Sequence, residues 1–289
     1  MFMEKLLRVT PGKSLFLFVC WWVLSTILGS ILISLVGTGT VGRLRCAIVI
    51  QDIFVFVLPV LLTMVIASVA PLRVIGIDRK VSVRMIVMIT LVAVVSIPAM
   101  NNIVAWNEAI HLPESWQGLE TVLRNSENAA RATVEGIMQG TSVGDLVVSV
   151  LIMGVLTGFA EELFFRGGLQ PLLAFVMRNR HAAVWATAFI FSAVHLQFFG
   201  FFPRLLMGAF FGYLVLWSGS IWSSVFAHAL NNSLVVINFW LINKGAVSAD
   251  ANNFATGGSA FDVTIAVVSA LATAALIYLI SRQTSCDRT

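Results

Sequence analysis

Apolar runs of about twenty residues recur along the chain, and most of them are separated by short polar connections. Hydrophobic residues make up 58% of the 289 residues and charged residues only 11%, whereas soluble domains are roughly 45–50% apolar and 25% charged. In hydrocarbon, every backbone N–H and C=O group needs a partner within the protein, and a helix supplies these partners itself. The sequence therefore predicts an all-α, polytopic membrane protein.

The apolar runs predict about eight transmembrane helices in a single membrane-embedded domain, residues 1–289. The predicted spans are about Leu15–Val36, Cys46–Ser68, Val83–Met100, Asp145 through the glutamates at 161 and 162, Ala182–Phe199, Leu205–Trp217, Ile221–Ile242 and Val263–Ile280. We expect Gly167, Gly168 and Pro171 to kink or break the fourth span before a shorter helix that ends at Met177.

Cationic side chains are unevenly distributed between the two sides of the predicted bundle. With eight spans both termini lie on the same side, and twelve of the eighteen Lys and Arg residues fall there. The positive-inside rule then predicts that both termini are cytoplasmic, in the inner membrane if the source is a bacterium. The basic residues lie in the connections between apolar runs, where topology explains them, so the net charge of +4 does not indicate a nucleic-acid partner. The partner that the apolar spans imply is membrane lipid. The pattern does not indicate an oligomeric state.

The longest polar region, Asn101–Gly144, contains apolar residues near helical spacing and the charge pairs Glu127–Arg131 and Arg131–Glu135. We interpret it as an amphipathic helix that lies at the outer face or caps the bundle and has no role in chemistry. A lid over a substrate is the alternative. Asp52 lies close to the outer end of the second predicted span, and we interpret it as a capped or interfacial acid.

Two adjacent carboxylates, Glu161 and Glu162, lie inside the apolar run of the fourth span. A charge at the centre of a membrane helix costs about 2.5–3.5 kcal/mol on insertion scales, so an acid there needs a partner or a use. Arg166 follows Glu162 by four residues and shares its helix face. Glu161 points about 100° away and has no such partner. We predict that Glu162 and Arg166 pair and that Glu161 faces a cavity.

Three further polar side chains, His195, His228 and Asn232, lie in later apolar runs, and the last two share one helix face. A carboxylate and an imidazole beside one water can remove its proton and direct its oxygen. A second imidazole and an amide can donate hydrogen bonds to the oxyanion of amide hydrolysis. The set indicates a water-activating hydrolase within the membrane. A proton- or ion-coupled transporter and a non-catalytic immunity or scaffold protein are the alternatives.

Three motifs follow one another along the chain: Glu161-Glu162-x-x-x-Arg166, Phe191-x-x-x-His195 and His228-x-x-x-Asn232. Together they resemble the signature of the CPBP (Abi) family of CAAX prenyl proteases and bacteriocin-processing enzymes, which includes the type II CAAX prenyl endopeptidase. The resemblance covers about Gly144–Phe239. It implies an eight-helix intramembrane endopeptidase with its site among spans 4, 5 and 7 and a catalytic core at about 144–242.

The resemblance also implies a role for each matched residue: general base for Glu161, water binding for His195, oxyanion stabilisation for His228 and Asn232, and support of the site for Glu162 and Arg166. It leaves a zinc ion open, which we do not expect to be obligatory. If a metal is present, the implied ligands are Glu161, His195 and His228, with one coordination position open. The implied substrate is a membrane-associated protein or peptide, and the sequence does not determine whether it is prenylated.

Overall fold

Helices account for nearly all of the regular structure in the computed structural model, which describes residues 6–249 and 253–286. The α-helices are α1 Pro11–Val36, α2 Val41–Gln51, α3 Leu58–Ala67, α4 Pro71–Ile75, α5 Val83–Val95, α6 Ile97–Glu108, α7 Gln117–Ile137, α8 Val143–Ser149, α9 Thr157–Glu162, α10 Gln170–Met177, α11 Arg180–Ala193, α12 Phe201–Ser218, α13 Ile221–Asn243 and α14 Ala260–Cys286. Three π-helical segments join neighbouring helices: Asp52–Val57 joins α2 to α3, Val150–Leu156 joins α8 to α9, and Leu163–Leu169 joins α9 to α10. The prediction of an all-α fold is confirmed.

Six helical runs within the described residues are long and apolar enough to cross a membrane. They are Pro11–Val36, Val41–Ala67, Val143–Met177, Phe198–Ser218, Ile221–Asn243 and Ala260–Arg282. Helices α5 and α6 meet at 50° and would form a seventh span if they cross together. The chain is therefore a multi-pass integral membrane protein.

The fifth predicted span is shorter in the structure than in the prediction. The apolar run predicts Ala182–Phe199, whereas α11 has 14 residues and ends at Ala193. At 1.5 Å per residue such a helix is about 21 Å long, which is less than the roughly 30 Å of a hydrocarbon core. The total of eight spans therefore stays a prediction.

The third predicted span, Val83–Met100, is bent rather than straight. Helix α5 ends at Val95, and α6 begins at Ile97 with Pro98 as its second residue. Proline has no N–H to donate to the preceding turn, and its ring clashes with the carbonyl four residues earlier, so the helix axis changes direction there. Helix α6 continues to Glu108, beyond the predicted end of the span and into the predicted polar region Asn101–Gly144.

The amphipathic helix predicted within the polar region is α7. It packs on the connection between α11 and α12, where Glu127 Oε2 accepts a hydrogen bond of 3.1 Å from the N–H of Phe199. The guanidinium carbon of Arg124 lies 3.8 Å from the ring centroid of the same phenylalanine. Helix α7 therefore lies against the segment that immediately follows His195.

The fourth span is one helical run of 35 residues, Val143–Met177. The helix does not break at Gly167 and Gly168, because the chain passes through both in π-helical form. The predicted kink stays a prediction, and π-helical segments are among the features that kink helices. A Cβ atom at Gly168 would lie 2.7 Å from Cε2 of Phe18, so this glycine is needed for the close approach of α1. Two π-helical segments flank α9, and such segments shift the following residues around the helix axis relative to a regular α-helix.

Helices α9 and α13 approach each other closely next to the two glutamates. A Cβ atom at Gly158 would lie 3.1 Å from the backbone N and 3.2 Å from the Cα of Ala229. Because Gly158 has no side chain, the two helix backbones can approach each other this closely. Ala229 directly follows His228, so the same contact places that imidazole opposite the acidic end of α9.

Candidate active site

The two adjacent glutamates form the end of α9, and both are buried. Glu162 Oε1 accepts a hydrogen bond of 2.7 Å from Arg166 Nη1, and neither side chain is exposed. Arg166 Nη2 donates to the carbonyl of Gly208 on α12 at 2.8 Å. Glu162 Oε2 and Arg166 Nε have no hydrogen-bond partner among the described residues. Glu161 is 8% exposed, and within the described residues no hydrogen bond or ion pair joins it to Arg166.

His228 on α13 connects the two glutamates. Its Nδ1 lies 2.8 Å from Glu162 Oε1, and its Nε2 lies 3.8 Å from Glu161 Oε2. An ionised carboxylate can only accept hydrogen bonds, so we assign the hydrogen between His228 and Glu162 to Nδ1. Nε2 is therefore directed at Glu161, and 3.8 Å is too long for a direct hydrogen bond. A water molecule beside both groups would bridge them.

Two phenylalanine rings restrict the orientation of the basic side chains in this cluster. The guanidinium carbon of Arg166 lies 4.8 Å from the ring centroid of Phe191 and 5.5 Å from that of Phe211. The His228 ring stacks on Phe211 at 5.0 Å and meets Phe191 edge-on at 5.9 Å. Such contacts favour a cation over the ring face and hold planar groups in one orientation. Both phenylalanines therefore belong to the immediate surroundings of the cluster.

His195 lies in the turn after α11, and not within a helix as the fifth predicted span implied. The helix ends at Ala193, and the following Leu196 has a φ of 53°, in the left-handed region. His195 Nδ1 lies 2.7 Å from the carbonyl oxygen of Phe191, to which it donates, so its Nε2 carries the lone pair. Glu161 and His228 both act electrostatically on His195, but no hydrogen bond or ion pair joins it to either of them within the described residues.

Asn232 lies one turn after His228 on α13 and is half-buried. Its Nδ2 donates to the carbonyl of Met153 at 3.3 Å, and its Oδ1 accepts from Asn231 Nδ2 at 3.3 Å. The amide group has two hydrogens, so one of them remains after the contact with Met153. Asn232 is thus attached to the π-helical segment before α9 and is not hydrogen-bonded to His228.

The structure brings four of the six predicted site residues into one connected cluster: Glu161, Glu162, Arg166 and His228. The remaining two, His195 and Asn232, are held by backbone carbonyls of neighbouring elements. Within residues 6–249 and 253–286, no three His, Cys, Asp or Glu side chains are arranged to hold a metal ion. Glu161, His195 and His228, the residues that would hold a zinc ion if one is present, are not arranged as such a group here. The mechanism proposed for the site uses no metal.

Sequence reasoning misplaced Asp52, which is not an interfacial acid. It has no exposed surface, and its Oδ2 lies 2.8 Å from Thr157 Oγ1, on the first residue of α9. The error came from starting the second span at Cys46, because α2 begins at Val41, where the side chain of Thr40 caps it. Asp52 is therefore eleven residues, or about 16 Å, from the start of the helix. A capping threonine before the apolar run was the signal that could have located it.

Comparison with known proteins identifies the part of the chain that carries this cluster. Residues 143–234 match the model of a family described as Rce1-like, type II CAAX prenyl endopeptidase. The chain carries an Rce1-like domain. This domain runs from the start of α8 into α13 and contains all six predicted site residues, which agrees with the resemblance noted from the motifs.

The Rce1-like domain belongs to a family of CAAX-type proteases. The acids of α9 lie in its first third and the histidine of α13 lies in its last third. The helices between them contribute the Phe191 ring and the Gly208 carbonyl, which hold Arg166 of the cluster. No curated protein and no solved structure matches the chain.

Proposed function

We propose that this protein is an intramembrane endopeptidase that hydrolyses a peptide bond of a membrane-associated protein or peptide. The observation that carries the proposal is the contact of one imidazole with both glutamates: His228 lies 2.8 Å from Glu162 and 3.8 Å from Glu161. Buried carboxylates and imidazoles that converge in this way can bind and activate a water molecule. The cluster lies within a domain of a protease family, which supports hydrolysis over ion transport.

The charges of the buried cluster suggest the protonation state of His228. Two ionised carboxylates and the guanidinium of Arg166 leave one negative charge uncompensated. A second proton on His228, at Nε2, balances it, and uncompensated charge is costly away from water. In this state Nδ1–H donates to Glu162 and Nε2–H faces the space beside Glu161. His228 is then a charged hydrogen-bond donor at the reacting atoms.

Glu161 is the general base in the proposed mechanism, and His195 helps it to bind the water. His195 donates its Nδ1–H to the carbonyl of Phe191, so its Nε2 lone pair is available to accept a hydrogen from the water. In the described part of the chain, Glu161 has only the 3.8 Å contact with His228 and no guanidinium paired with it. Its carboxylate oxygens therefore remain free to take up a proton, unlike the Oε1 of Glu162, which already accepts two hydrogen bonds.

The oxyanion of the tetrahedral intermediate would be stabilised from α13. His228 Nε2–H and the remaining amide hydrogen of Asn232 are one helical turn apart on the same face. Each donor directed at a developing oxyanion contributes about 2.7–4 kcal/mol of transition-state stabilisation in well-studied proteases. Met153 and Glu162 hold the two donors in place from the other side.

The proposed reaction has two steps, and its protons balance. The water oxygen attacks the scissile carbonyl carbon while Glu161 takes the water proton, which gives a neutral acid and a tetrahedral oxyanion. The C–N bond then breaks as Glu161 returns the proton to the leaving nitrogen. The products are a carboxylic acid and an amine, and Glu161 is again ionised. No cofactor is consumed.

The proposal includes the membrane topology. We count α11 and the bent pair α5–α6 as crossings, which makes eight, and we place the site among α9, α11 and α13. Arg166 is buried and does not count as a loop charge, so eleven of the seventeen other cationic residues lie on the side of the termini. The positive-inside rule then puts both termini in the cytoplasm, in the inner membrane if the source is a bacterium.

The test uses the full chain in proteoliposomes with fluorogenic peptides attached to a lipid anchor. One set of peptides carries a prenylated CAAX end and a matched set carries an acyl anchor instead, so the assay also determines the anchor chemistry. Wild-type protein is expected to cleave at least one set. Glu161→Gln is expected to lower the cleavage rate by a factor of about 100 to 10,000, because the general base is lost. Glu114→Gln, at an exposed acid outside the site, is the matched control.

The rival functions give different results in the same preparation. If wild-type protein cleaves no anchored peptide but drives ion uptake that Glu161→Gln abolishes, the protein is a transporter. If Glu161→Gln keeps the full biological effect of the wild-type protein in its source cell, the fold acts as a scaffold. Either result overturns the proposed endopeptidase.

A further inference from the structure

Among residues 6–249 and 253–286, Asp52 is the one acid outside the predicted motifs that the fold buries completely next to the helix of the two glutamates. Its Oδ2 contacts Thr157 Oγ1 at 2.8 Å, and its Oδ1 has no hydrogen-bond partner among the described residues. A carboxylate in this place would be an unpaired charge, since none of the described Lys, Arg and His residues contacts it. Buried ionised groups without a partner are strongly disfavoured within a membrane.

The hydrogen bonds of Thr157 indicate which form of the acid is present. Its Oγ1 lies 2.8 Å from Asp52 Oδ2 and 3.1 Å from the carbonyl oxygen of Ile152. A hydroxyl has one hydrogen, and both neighbours are acceptors if Asp52 is ionised, so only one of the two contacts could then be a hydrogen bond. If Asp52 is protonated, it donates to Thr157 and Thr157 donates to Ile152. Only the protonated acid satisfies both contacts.

The position of Thr157 connects this acid to the site. Thr157 is the first residue of α9, directly after the π-helical segment Val150–Leu156. It precedes Glu161 by four residues and so lies on the same face of the helix. Asp52 itself begins a π-helical segment on the second span and interacts electrostatically with Glu161. The contact therefore joins two irregular helical segments one turn away from the proposed general base.

We propose that Asp52 is a protonated carboxylic acid that positions Glu161 by holding Thr157 at the start of α9. The inference deepens the proposed function, because it assigns a positioning residue to the same site. The Asp52–Thr157 hydrogen bond sets the rotation of α9 where the helix changes from π to α geometry. That rotation determines whether Glu161 faces His228 or the lipid. The neutral state of Asp52 also keeps a second negative charge away from Glu161.

The protonation state is tested by infrared spectroscopy on the full-length protein in lipid at neutral pH. The difference spectrum between wild type and Asp52→Asn is expected to contain the carbonyl stretch of a protonated carboxylic acid. Asp78→Asn, at an exposed loop acid, is the control and should show only the bands of an ionised carboxylate. If Asp52→Asn also removes only ionised-carboxylate bands, the proposal is overturned. This measurement does not depend on protease activity, so a failed cleavage assay leaves its result intact.

The positioning role is tested by kinetics on anchored peptides. Asp52→Ala is expected to lower kcat about 100-fold with KM within about threefold, because a small misplacement of a reacting group has that effect. Asp52→Asn can still donate to Thr157 and should restore kcat to within about threefold of wild type. Thr157→Val should resemble Asp52→Ala, and the double variant should be no slower than the slower single variant, because both remove the same hydrogen bond.

Two kinetic results would overturn the positioning role. The first is Asp52→Asn as slow as Asp52→Ala, which would mean that the acid acts in its ionised form. The second is a double variant whose loss equals the product of the two single losses, which would mean that Asp52 and Thr157 act independently. Thermal unfolding of each variant shows whether it is folded. If Asp52→Ala does not fold, the comparison of Asp52→Asn with wild type still decides the test.

Discussion

His228 and Glu162 are joined across two helices by a 2.8 Å contact between Nδ1 and Oε1, although they are 66 residues apart in sequence. The same carboxylate oxygen also accepts from Arg166. Within the residues that the structure describes, Glu161, the neighbouring acid, has only the 3.8 Å contact to the other ring nitrogen of His228. The two glutamates thus have different environments, and these differences lead to separable predictions.

Glu162 is expected to matter for stability and Glu161 for activity. Glu162→Ala leaves Arg166 as an unpaired buried cation, and removal of one partner of a buried ion pair costs about 3–5 kcal/mol. In Glu161→Ala, His228 can release its second proton, so no unpaired charge stays buried and the free energy of unfolding should stay within about 1 kcal/mol of wild type. Reversible unfolding of both variants in the same detergent measures the difference. Equal destabilisation by the two substitutions would contradict the assigned roles.

Asn232 and its neighbour Asn231 provide a matched pair for the oxyanion site. Asn232→Ala is expected to lower kcat about 100- to 1,000-fold with little change in KM, because the lost donor acts mainly in the transition state. Asn231 contacts Asn232 Oδ1 and has no role in the proposed chemistry, so Asn231→Ala should change kcat less than about tenfold. The idea fails if both substitutions reduce kcat to the same extent.

Gly158 is expected to control the distance between the acids of α9 and the imidazole of α13. A Cβ atom there would lie 3.1 Å from the backbone of Ala229, so Gly158→Ala must push the two helices apart by a few tenths of an ångström. That shift should lower kcat by about tenfold or more while the protein still folds. Gly136→Ala on α7, where a Cβ atom meets nothing within 4 Å, is the control and should leave kcat unchanged. Normal activity of Gly158→Ala would show that this distance is not critical.

The attachment of α7 is expected to depend on pH through Glu120. The backbone N–H of Leu112 and the side chains of Arg124 and His111 lower the pKa of Glu120 to about 2, from 4.5. Since the folded-state pKa is the lower one, the stabilisation is complete above about pH 4.5 and is lost as the pH falls towards 2. Limited proteolysis between α6 and α7 should increase over this range in wild type.

The control for this prediction removes the titrating group. In Glu120→Gln the same cleavage should already be faster at neutral pH and should change little between pH 4.5 and 2. Glu114→Gln, at an exposed acid nearby, should behave like wild type. A wild-type chain whose cleavage rate does not change with acid would show that Glu120 does not hold α7.

Local patterns were sufficient to predict an all-helical fold with several membrane helices and the pairing within one helix. The apolar runs predicted the membrane helices because a span needs about twenty apolar residues whatever surrounds it. The four-residue spacing of Glu162 and Arg166 predicted their contact because helical geometry alone brings such residues together. The errors occurred where packing or capping decides: α11 ends at Ala193, and Asp52 lies well inside the second span, which begins at the Thr40 cap.

The sequence by itself determined that the chain enters a membrane as helices and which side chains could do chemistry there, because hydropathy, spacing and motif order are local properties. Only the tertiary structure decided which of these side chains meet. His228 reaches both glutamates, His195 lies in a turn, and Asp52 is buried beside α9. The reason is that the close approach of α9 to α13 and the rotation introduced by the π-helical segments depend on contacts between residues far apart in sequence, and no local pattern contains that information.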